Sequence, residues 1–300
     1  MIEVAAEVQE AIGSGAPVVA LETTLVAHGF PYPQGASVAV ESERRVRAAG
    51  AVPATVGVID GAIRVGLGES ELDRFAAAGT EARKLGPRDL AVCIAQGALG
   101  ATTVGSTLAV CGLAGIRFMG TGGLGGVHRG FPFPPDVSAD LGELTRAAVL
   151  VVASGVKSIL DVAATSELLE TLGVPVLGWR TDELPRFYVA AGGPPVAARV
   201  ESTAEVARIA RAHWLALRRS GSILLGRPPA ESLDDVEPLI EQAVAAAAAG
   251  GVTGQAVTPF VLAHLHEHSG GRTAKVNKDL IVDNAGLAAE VAVAYAQAGT

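Results

Sequence analysis

The sequence predicts an α/β protein, and three observations support this prediction. Helical segments and short apolar segments alternate along the chain, as they do where helices pack on a sheet. The chain has 300 residues and is 49% hydrophobic, which is enough to fill a large core. Aromatic residues make up only 4% of the chain while glycine contributes 37 residues, a composition that favours closely packed helices over an aromatic-rich β-sandwich.

In the first part of the chain, apolar spacing of three and four residues predicts helices, and short apolar runs bounded by Gly, Pro or polar residues predict strands. The predicted helices are 2–12, 36–49, 70–78 and 103–113. The predicted strands are 18–21, 54–59, 63–65, 90–95 and 116–119. A loop rich in Gly and Pro follows at 120–135.

The same alternation continues to the C-terminus. The predicted helices are 138–148, 158–172, 203–219, 233–249, 259–268 and a long last helix that starts near Val276 or Ala285. The predicted strands are 149–153, 174–177 and 223–225. Since no internal repeat and no long linker interrupts the pattern, we expect one domain over residues 1–300.

Charge and composition narrow the function classes. A net charge of −8 predicts no nucleic-acid partner, although a small phosphate pocket needs only a few cations. No signal-peptide pattern opens the chain, and polar residues and glycines interrupt the uncharged segment 91–116, so we expect no membrane segment and a cytoplasmic location. Cys93 and Cys111 lie in apolar stretches without metal-ligand spacing and are predicted to be buried free thiols.

Polar residues that directly follow predicted strands are the first candidates for a site, because ligands of open α/β sheets gather beyond the carboxyl ends of the strands. Glu22 follows 18–21, where burial can make a carboxyl group a general acid; capping a helix or pairing with an arginine is the alternative. Lys157 follows 149–153 and is one of only four lysines among 23 basic residues. Lysine can form a Schiff base and arginine cannot, but a solvated surface lysine is the alternative.

Three further patterns are less specific. The segment 120–126 matches GxGxxG but leads into prolines, so we expect a phosphate-binding loop beside His128 and Arg129, or a plain turn, rather than a dinucleotide site. Asp136 and Asp140 flank the helix cap Ser138 and suit either a divalent cation or two solvated acids. The histidines at 264, 266 and 268 are interpreted as a polar helix end rather than a zinc site, because no third ligand has convincing spacing.

Taken together, these loops resemble the pseudouridine-5′-phosphate glycosidase family, also described as indigoidine-synthase-A-like. The matching segments occur in order from about Val18 to the end of the chain: Ala20 to Thr24, His28-Gly29, Pro31 to Gln34, Lys84 with Arg88-Asp89-Leu90, Gly100 to Val104, Thr121 to Gly130, Asp136 to Leu141, Gly155 to Asp161, Thr258-Pro259-Phe260, Gly270-Gly271 and Asn284-Ala285.

The resemblance implies a three-layer α/β/α fold with a central mixed, mostly parallel sheet, a homotrimer, and a Mn²⁺-dependent, reversible cleavage of pseudouridine 5′-phosphate to uracil and ribose 5-phosphate. It implies that Glu22 is the proton donor, Lys157 the nucleophile and Asp136 the metal ligand. The positions implied to contact substrate are Lys84, Val104, Ser138, Ala139 and Asp140.

The chain departs from the family pattern at two places. Asp283-Asn284 stands where two asparagines are common, and Gly105 stands where Ser or Ala is common. Two other functions stay open: a different Schiff-base sugar-phosphate lyase or aldolase that shares Lys157, and a non-catalytic nucleotide-binding protein that uses the glycine-rich loop alone.

Overall fold

A computed structural model describes residues 2–132 and 135–298 of the chain. Its centre is an 11-stranded sheet, and two short strands form a separate ribbon. The strands are β1 (Ile2–Val4), β2 (Val18–Glu22), β3 (Val52–Ile59), β4 (Ala62–Val65), β5 (Arg83–Leu85), β6 (Gly100–Thr102), β7 (Phe118–Gly120), β8 (Val127–His128), β9 (Leu150–Ala153), β10 (Leu160–Asp161), β11 (Val176–Trp179), β12 (Ala198–Val200) and β13 (Ile223–Gly226).

The main sheet has the order β1-β4-β3-β2-β7-β9-β13-β11-β12, with β6 paired to β3 and β5 paired to β6. Among the described residues, its pairs are parallel except for β3 with β4 and β3 with β6. The prediction of a mixed, mostly parallel sheet is therefore confirmed. The ribbon pairs β8 with β10 in antiparallel fashion.

Helices cover both faces of this sheet. They are α1 (Ala6–Ser14), α2 (Thr24–His28), α3 (Gln34–Ala48), α4 (Glu69–Ala78), α5 (Leu90–Ala95), α6 (Val104–Ala114), α7 (Ala139–Leu144), α8 (Val162–Thr171), α9 (Thr203–Arg211), α10 (Glu237–Ala249), α11 (Val257–His268) and α12 (Arg272–Gln297).

The central strands are buried on both sides, which explains why they read as continuous apolar runs. Along β2, Val18 and Ala20 join a core with Leu108 of α6, whereas Val19 and Leu21 join a second core on the opposite face. That second core is built mainly with α9 and α12. Successive side chains of a strand point to opposite faces, so this alternation gives the predicted three layers.

One predicted element is of the wrong type, and the predicted helix 2–12 is wrong in its first residues. Residues 90–95 form the helix α5 and not a strand, since Gly86-Pro87-Arg88-Asp89 opens a helical turn in which Asp89 accepts the N–H of Gly86. Periodicity cannot separate a buried strand from a buried helix in so short an apolar run. At the N-terminus, residues 2–4 form a strand before α1 because they pair with β4, a contact that sequence period does not show.

Other predictions were wrong at their boundaries. Predicted helix 158–172 begins only at Val162, because Asp161 caps it with a hydrogen bond to the N–H of Ala164. Predicted helix 203–219 is α-helical to Arg211 and continues as a π-helical turn at Ala212–Ala216. The last helix begins at Arg272, earlier than predicted. Among the described residues, no helix combines the length and apolarity that crossing a membrane requires.

Candidate active site

A cavity of about 420 Å³ lies beyond the carboxyl ends of β2, β7 and β9, three strands that are neighbours in the sheet. This is where open α/β sheets bind ligands. Seven of the eight predicted site residues line it: Glu22, Lys84, Asp136, Ser138, Ala139, Asp140 and Lys157.

Val104 is the eighth predicted site residue, and it does not line the cavity. Its side chain is fully buried at the start of α6, where it joins the same core as Leu108. The preceding residue, Thr103, lines the cavity instead. The contact of Val104 with a substrate stays a prediction.

Glu22 ends β2 with its carboxyl group at the bottom of the cavity, and the residue is only 6% exposed. The hydroxyl of Thr121 donates a hydrogen bond to Glu22 Oε1. Burial raises the pKa of Glu22 above its ordinary value, against the opposing effects of the Lys157 charge and of the Thr121 hydrogen bond. A raised carboxyl pKa is what a proton donor needs near neutral pH.

Lys157 is placed by a turn that follows β9. The turn passes through Gly155, whose φ of +72° is in the left-handed region that favours glycine. A Cβ at this position would lie 1.8 Å from the carbonyl oxygen of Pro185. The turn is tied to the glycine-rich loop, since Leu124 N donates to Gly155 O (2.9 Å) and Lys157 N donates to Leu124 O (3.1 Å). The turn that carries Lys157 is therefore held in place by steric crowding and by two backbone hydrogen bonds.

Lys84 lies on β5, opposite Ala101 of β6. Burial, followed by the charge of Lys157, lowers its pKa to about 8, while Asp140 and Glu22 act in the opposite direction. The amines of Lys84 and Lys157 and the carboxyl groups of Glu22 and Asp140 therefore lie close enough to affect one another in the same poorly solvated cavity. Near neutral pH, Lys84 is mostly cationic and suits an anionic group of a substrate.

Asp140 holds two backbone segments together. Its carboxylate accepts hydrogen bonds from the N–H of Gly105 (2.7 Å) and of Gly125 (3.0 Å), and the residue is 4% exposed. Ser138 caps α7 by accepting the N–H of Asp140 (3.3 Å), as predicted. A Cβ at Gly105 would lie 3.0 Å from Asp140 Oδ1, so the Ser or Ala common at this family position would require a small shift here.

The glycine-rich loop packs closely against its neighbours. If Gly125 carried a Cβ atom, that atom would lie 2.3 Å from Ser138 Oγ. A Cβ atom on Gly126 would lie 2.3 Å from Thr165 Oγ1. The N–H groups of Leu124, Gly125 and Val127 donate to protein acceptors. At Leu124 and Gly125, the prediction that the loop 120–126 offers its N–H groups to a phosphate was therefore wrong, and for the other glycines of the loop it stays a prediction.

Asp136 lies at the cavity wall with its side chain 39% exposed, and its Oδ2 is 3.7 Å from Nδ1 of His128. Burial lowers the pKa of His128, which favours a neutral imidazole beside the carboxylate. In the part of the chain that the structure describes, no three His, Cys, Asp or Glu side chains cluster as metal ligands. The residues fit a hard cation such as Mn²⁺ held by one carboxylate and water, rather than an all-protein cage.

Sequence analysis missed some residues of the cavity wall, among them Asn277 and Phe187, whereas Thr121 lies in the glycine-rich loop that it had singled out. For Asn277 the sequence held a signal, because this polar residue stands at helical spacing between Thr273 and Ile281 on α12. The structure shows that Asn277 is only 3% exposed. Phe187 had none, because its ring reaches the cavity through a backbone φ of +61° that sequence does not reveal.

The histidine group of α11 lies apart from these residues. The rings of His264 and His268 stack on each other with centroids 4.0 Å apart, and His266 stacks on Phe30. The exposed His268 agrees with the interpretation as a polar helix end, whereas His266 is half-buried and burial lowers its pKa. Cys93 and Cys111 are buried free thiols, as predicted.

Comparison with known proteins identifies the family. The model of the indigoidine synthase A-like proteins matches residues 7–294. The pseudouridine-5′-phosphate glycosidase of Herpetosiphon aurantiacus is 48% identical, with 98% of this chain and 97% of the relative covered. That of Escherichia coli is 42% identical, with 98% and 96% covered. The chain belongs to the indigoidine synthase A-like family. The predictions of this family and of an enzyme are confirmed.

Two solved structures share the fold. The prealnumycin C-glycosynthase AlnA in complex with ribulose 5-phosphate is 38% identical and superposes with a TM-score of 0.90, covering 100% of this chain and 98% of the other. An indigoidine synthase A-like protein from Thermotoga maritima is 36% identical with a TM-score of 0.87, covering 98% and 96%. The three-layer α/β/α architecture is therefore that of the family.

Proposed function

We propose that this enzyme reversibly cleaves the carbon–carbon glycosidic bond of pseudouridine 5′-phosphate to give uracil and ribose 5-phosphate. One observation carries the proposal: the amine of Lys157 and the buried carboxyl of Glu22 face the same cavity, at the ends of neighbouring strands. The names of the glycosidase relatives and of the C-glycosynthase neighbour support this reaction class.

The bond to be broken explains why an amine is needed. It joins C1 of the ribose to a ring carbon of uracil, and this carbon has no lone pair that an acid could protonate as it protonates the oxygen of an O-glycoside. Hydrolysis by two carboxylates alone is therefore difficult. An amine attached to C1 supplies the missing electron pair.

The reaction balances in three steps. The neutral amine of Lys157 attacks C1, the bond from C1 to the ring oxygen breaks, and that oxygen takes up a proton as the amine loses one. Glu22 then protonates the uracil carbon while the nitrogen lone pair forms a C=N bond to C1, so uracil leaves as a neutral ring. Water hydrolyses the resulting iminium to the aldehyde of ribose 5-phosphate and frees the lysine.

Other residues bind and orient the substrate. Lys84 is proposed to hold an anionic group, and Ser138, Ala139, Asp140 and Val104 to surround the sugar phosphate. Asp136 is proposed to hold Mn²⁺, which when bound supplies positive charge to substrate oxygen atoms. We also propose one domain over residues 1–300, a cytoplasmic location and, as the family resemblance implies, a homotrimer.

Uracil release tests the proposal. Purified protein with Mn²⁺ should release uracil from pseudouridine 5′-phosphate and do far less with unphosphorylated pseudouridine, because the latter lacks the anionic group for Lys84. Uracil is quantified by chromatography. Absence of uracil from the phosphorylated substrate would exclude the proposed reaction, and equal rates on both substrates would exclude the phosphate contact.

A further inference from the structure

The Glu22 carboxyl is held from one side by a single hydroxyl group. Thr121 follows directly after β7, and its Oγ1 donates to Glu22 Oε1. Thr121 is fully buried and Glu22 nearly so. Because this hydrogen bond occupies Oε1, the carboxyl proton is left to Oε2.

Thr121 is itself fixed from behind by Asn284 of α12. Asn284 is fully buried and lies outside the cavity lining. Its Nδ2 donates to the carbonyl oxygen of Thr121 (2.8 Å) and to the hydroxyl of Ser154 (3.1 Å). Thr121 N in turn donates to Val152 O at 3.0 Å. Both backbone polar groups of Thr121 are therefore bound, which fixes the backbone from which its hydroxyl reaches Glu22.

The neighbouring helix leaves this arrangement little freedom. A Cβ added at Gly120 would lie 2.7 Å from Cα of Ala285, so α12 packs directly on the end of β7. Among the described residues, Asp283 does not enter this chain of hydrogen bonds, and its carboxylate instead accepts a hydrogen bond from Arg227 Nη2 at 2.8 Å.

We propose that Thr121, fixed by Asn284, is the positioning residue that orients the Glu22 carboxyl so that its free oxygen delivers the proton to the leaving uracil. This inference rests on the proposed function, because it assigns a direction to the proton donor of that reaction. Thr121 acts through Glu22, and Asn284 acts through Thr121.

The expected signature is a change in pH dependence. Lys157 and Lys84 face Glu22 and lower its pKa, as the Thr121 hydrogen bond does, whereas burial and Asp140 raise it. Removing the hydroxyl withdraws one interaction that stabilises the carboxylate, so the pKa of Glu22 rises further. A proton donor must carry its proton, so the alkaline limb of activity moves to higher pH.

The test compares Thr121→Val with Thr121→Ser, which retains a hydroxyl. Thr55→Val is a matched control. Thr55 is also buried, and its hydroxyl donates a hydrogen bond to the carboxyl group of Glu43 (2.5 Å), whose pKa is also raised by burial. Neither Thr55 nor Glu43 lines the cavity. We expect Thr121→Val to lower kcat about tenfold at neutral pH and to move the alkaline limb up by about one pH unit. Thr121→Ser and Thr55→Val should keep the parent profile. If Thr121→Val does not fold, Thr121→Ala removes the same hydroxyl with less bulk.

Asn284→Ala should move the limb in the same direction, and the double variant with Thr121→Val should show no further shift, since both act on one carboxyl. The Glu22 titration is also followed directly, by the infrared band of its protonated carboxyl, assigned through its loss in Glu22→Gln. An unmoved band in Thr121→Val, or additive shifts in the double variant, would overturn the inference. The infrared band reports the titration of Glu22 whether or not the enzyme releases uracil. Failure of the proposed function is therefore recognised separately, because the parent enzyme would then release no uracil.

Discussion

At the scale of single residues, burial shifts the pKa of a carboxyl group and that of an amine of the cavity in opposite directions. It raises the pKa of Glu22 and lowers the pKa of Lys84 to about 8, because low solvation disfavours the charged form of each. Both groups are therefore brought closer to neutral pH, where proton exchange is useful. Ionisable groups with strongly shifted pKa values cluster at functional sites.

The shifted pKa of Lys84 predicts a pH dependence of substrate capture. Lys84 is cationic below a pKa of about 8 and neutral above it, so kcat/KM for the phosphorylated substrate should fall above pH 8, because kcat/KM reports the free enzyme. Lys84→Arg keeps the cation at all these pH values and should remove this part of the fall. Steady-state rates from pH 7 to 10 measure it. An identical fall in Lys84→Arg would exclude Lys84 as its cause.

Lys157→Arg separates amine chemistry from charge. The arginine keeps a cation at the turn but is a poor nucleophile, so uracil release should fall more than about a thousandfold, as for loss of a covalent catalyst. Lys278→Arg is the matched control, since Lys278 is exposed on α12 outside the cavity, and it should retain the parent rate. A Lys157→Arg enzyme that retains substantial activity would contradict the Schiff-base assignment.

Asp136→Ala should weaken Mn²⁺ binding without harming the fold. The side chain is 39% exposed, so its removal costs little core packing. Calorimetric metal titration measures the affinity, and Asp73→Ala, which removes an exposed carboxylate on α4, is the control. Unchanged affinity in Asp136→Ala would remove this residue from the metal site.

At the scale of elements, the strand-end turns decide where the chemistry is placed. Gly155 and Gly15 have nearly the same left-handed backbone, with φ of +72° and +73°. A Cβ at Gly155 would meet the carbonyl of Pro185 at 1.8 Å, whereas a Cβ at Gly15 would meet nothing within 4 Å. Alanine at Gly15 would therefore cost only the strain of a left-handed backbone, whereas alanine at Gly155 would also cost a steric clash with Pro185.

Replacing each glycine by alanine measures these two costs. Gly15→Ala should lower the free energy of unfolding by about 1 kcal/mol, the cost of a left-handed alanine. Gly155→Ala should lower it by about 3 kcal/mol, since the turn must also move away from Pro185, and should reduce activity by displacing Lys157. Urea unfolding gives both values. Equal losses in the two variants would show that the turn after β9 accommodates a side chain.

The same elements show what sequence reasoning can reach. Buried strands such as β2 and β9 were predictable because their apolar runs stop at polar residues that then enter the cavity. The three-residue strands β5 and β6 were not, because β5 carries Arg83 and Lys84 and pairs through tertiary contacts only. The family resemblance supplied candidate residues for the site, but neither the Asn284 to Thr121 connection nor the ring of Phe187 follows from a local pattern.

At the scale of the whole molecule, the order of strands gathers residues that are far apart in sequence. Adjacency of β2, β7 and β9 brings Glu22, Thr121 and Lys157 to one edge of the sheet, and α12 returns from the C-terminus to fix that edge through Asn284. Fold alone does not assign a reaction, since one architecture hosts many functions. The assignment depends on the amine and the carboxyl facing one cavity.

Borohydride trapping tests this central claim most directly. The enzyme is incubated with ribose 5-phosphate, the iminium is reduced, and the modified peptide is identified by mass spectrometry. We expect one sugar-phosphate adduct on Lys157, present in Lys278→Arg and absent in Lys157→Arg. An adduct on another lysine, or none from an enzyme that releases uracil, would contradict it.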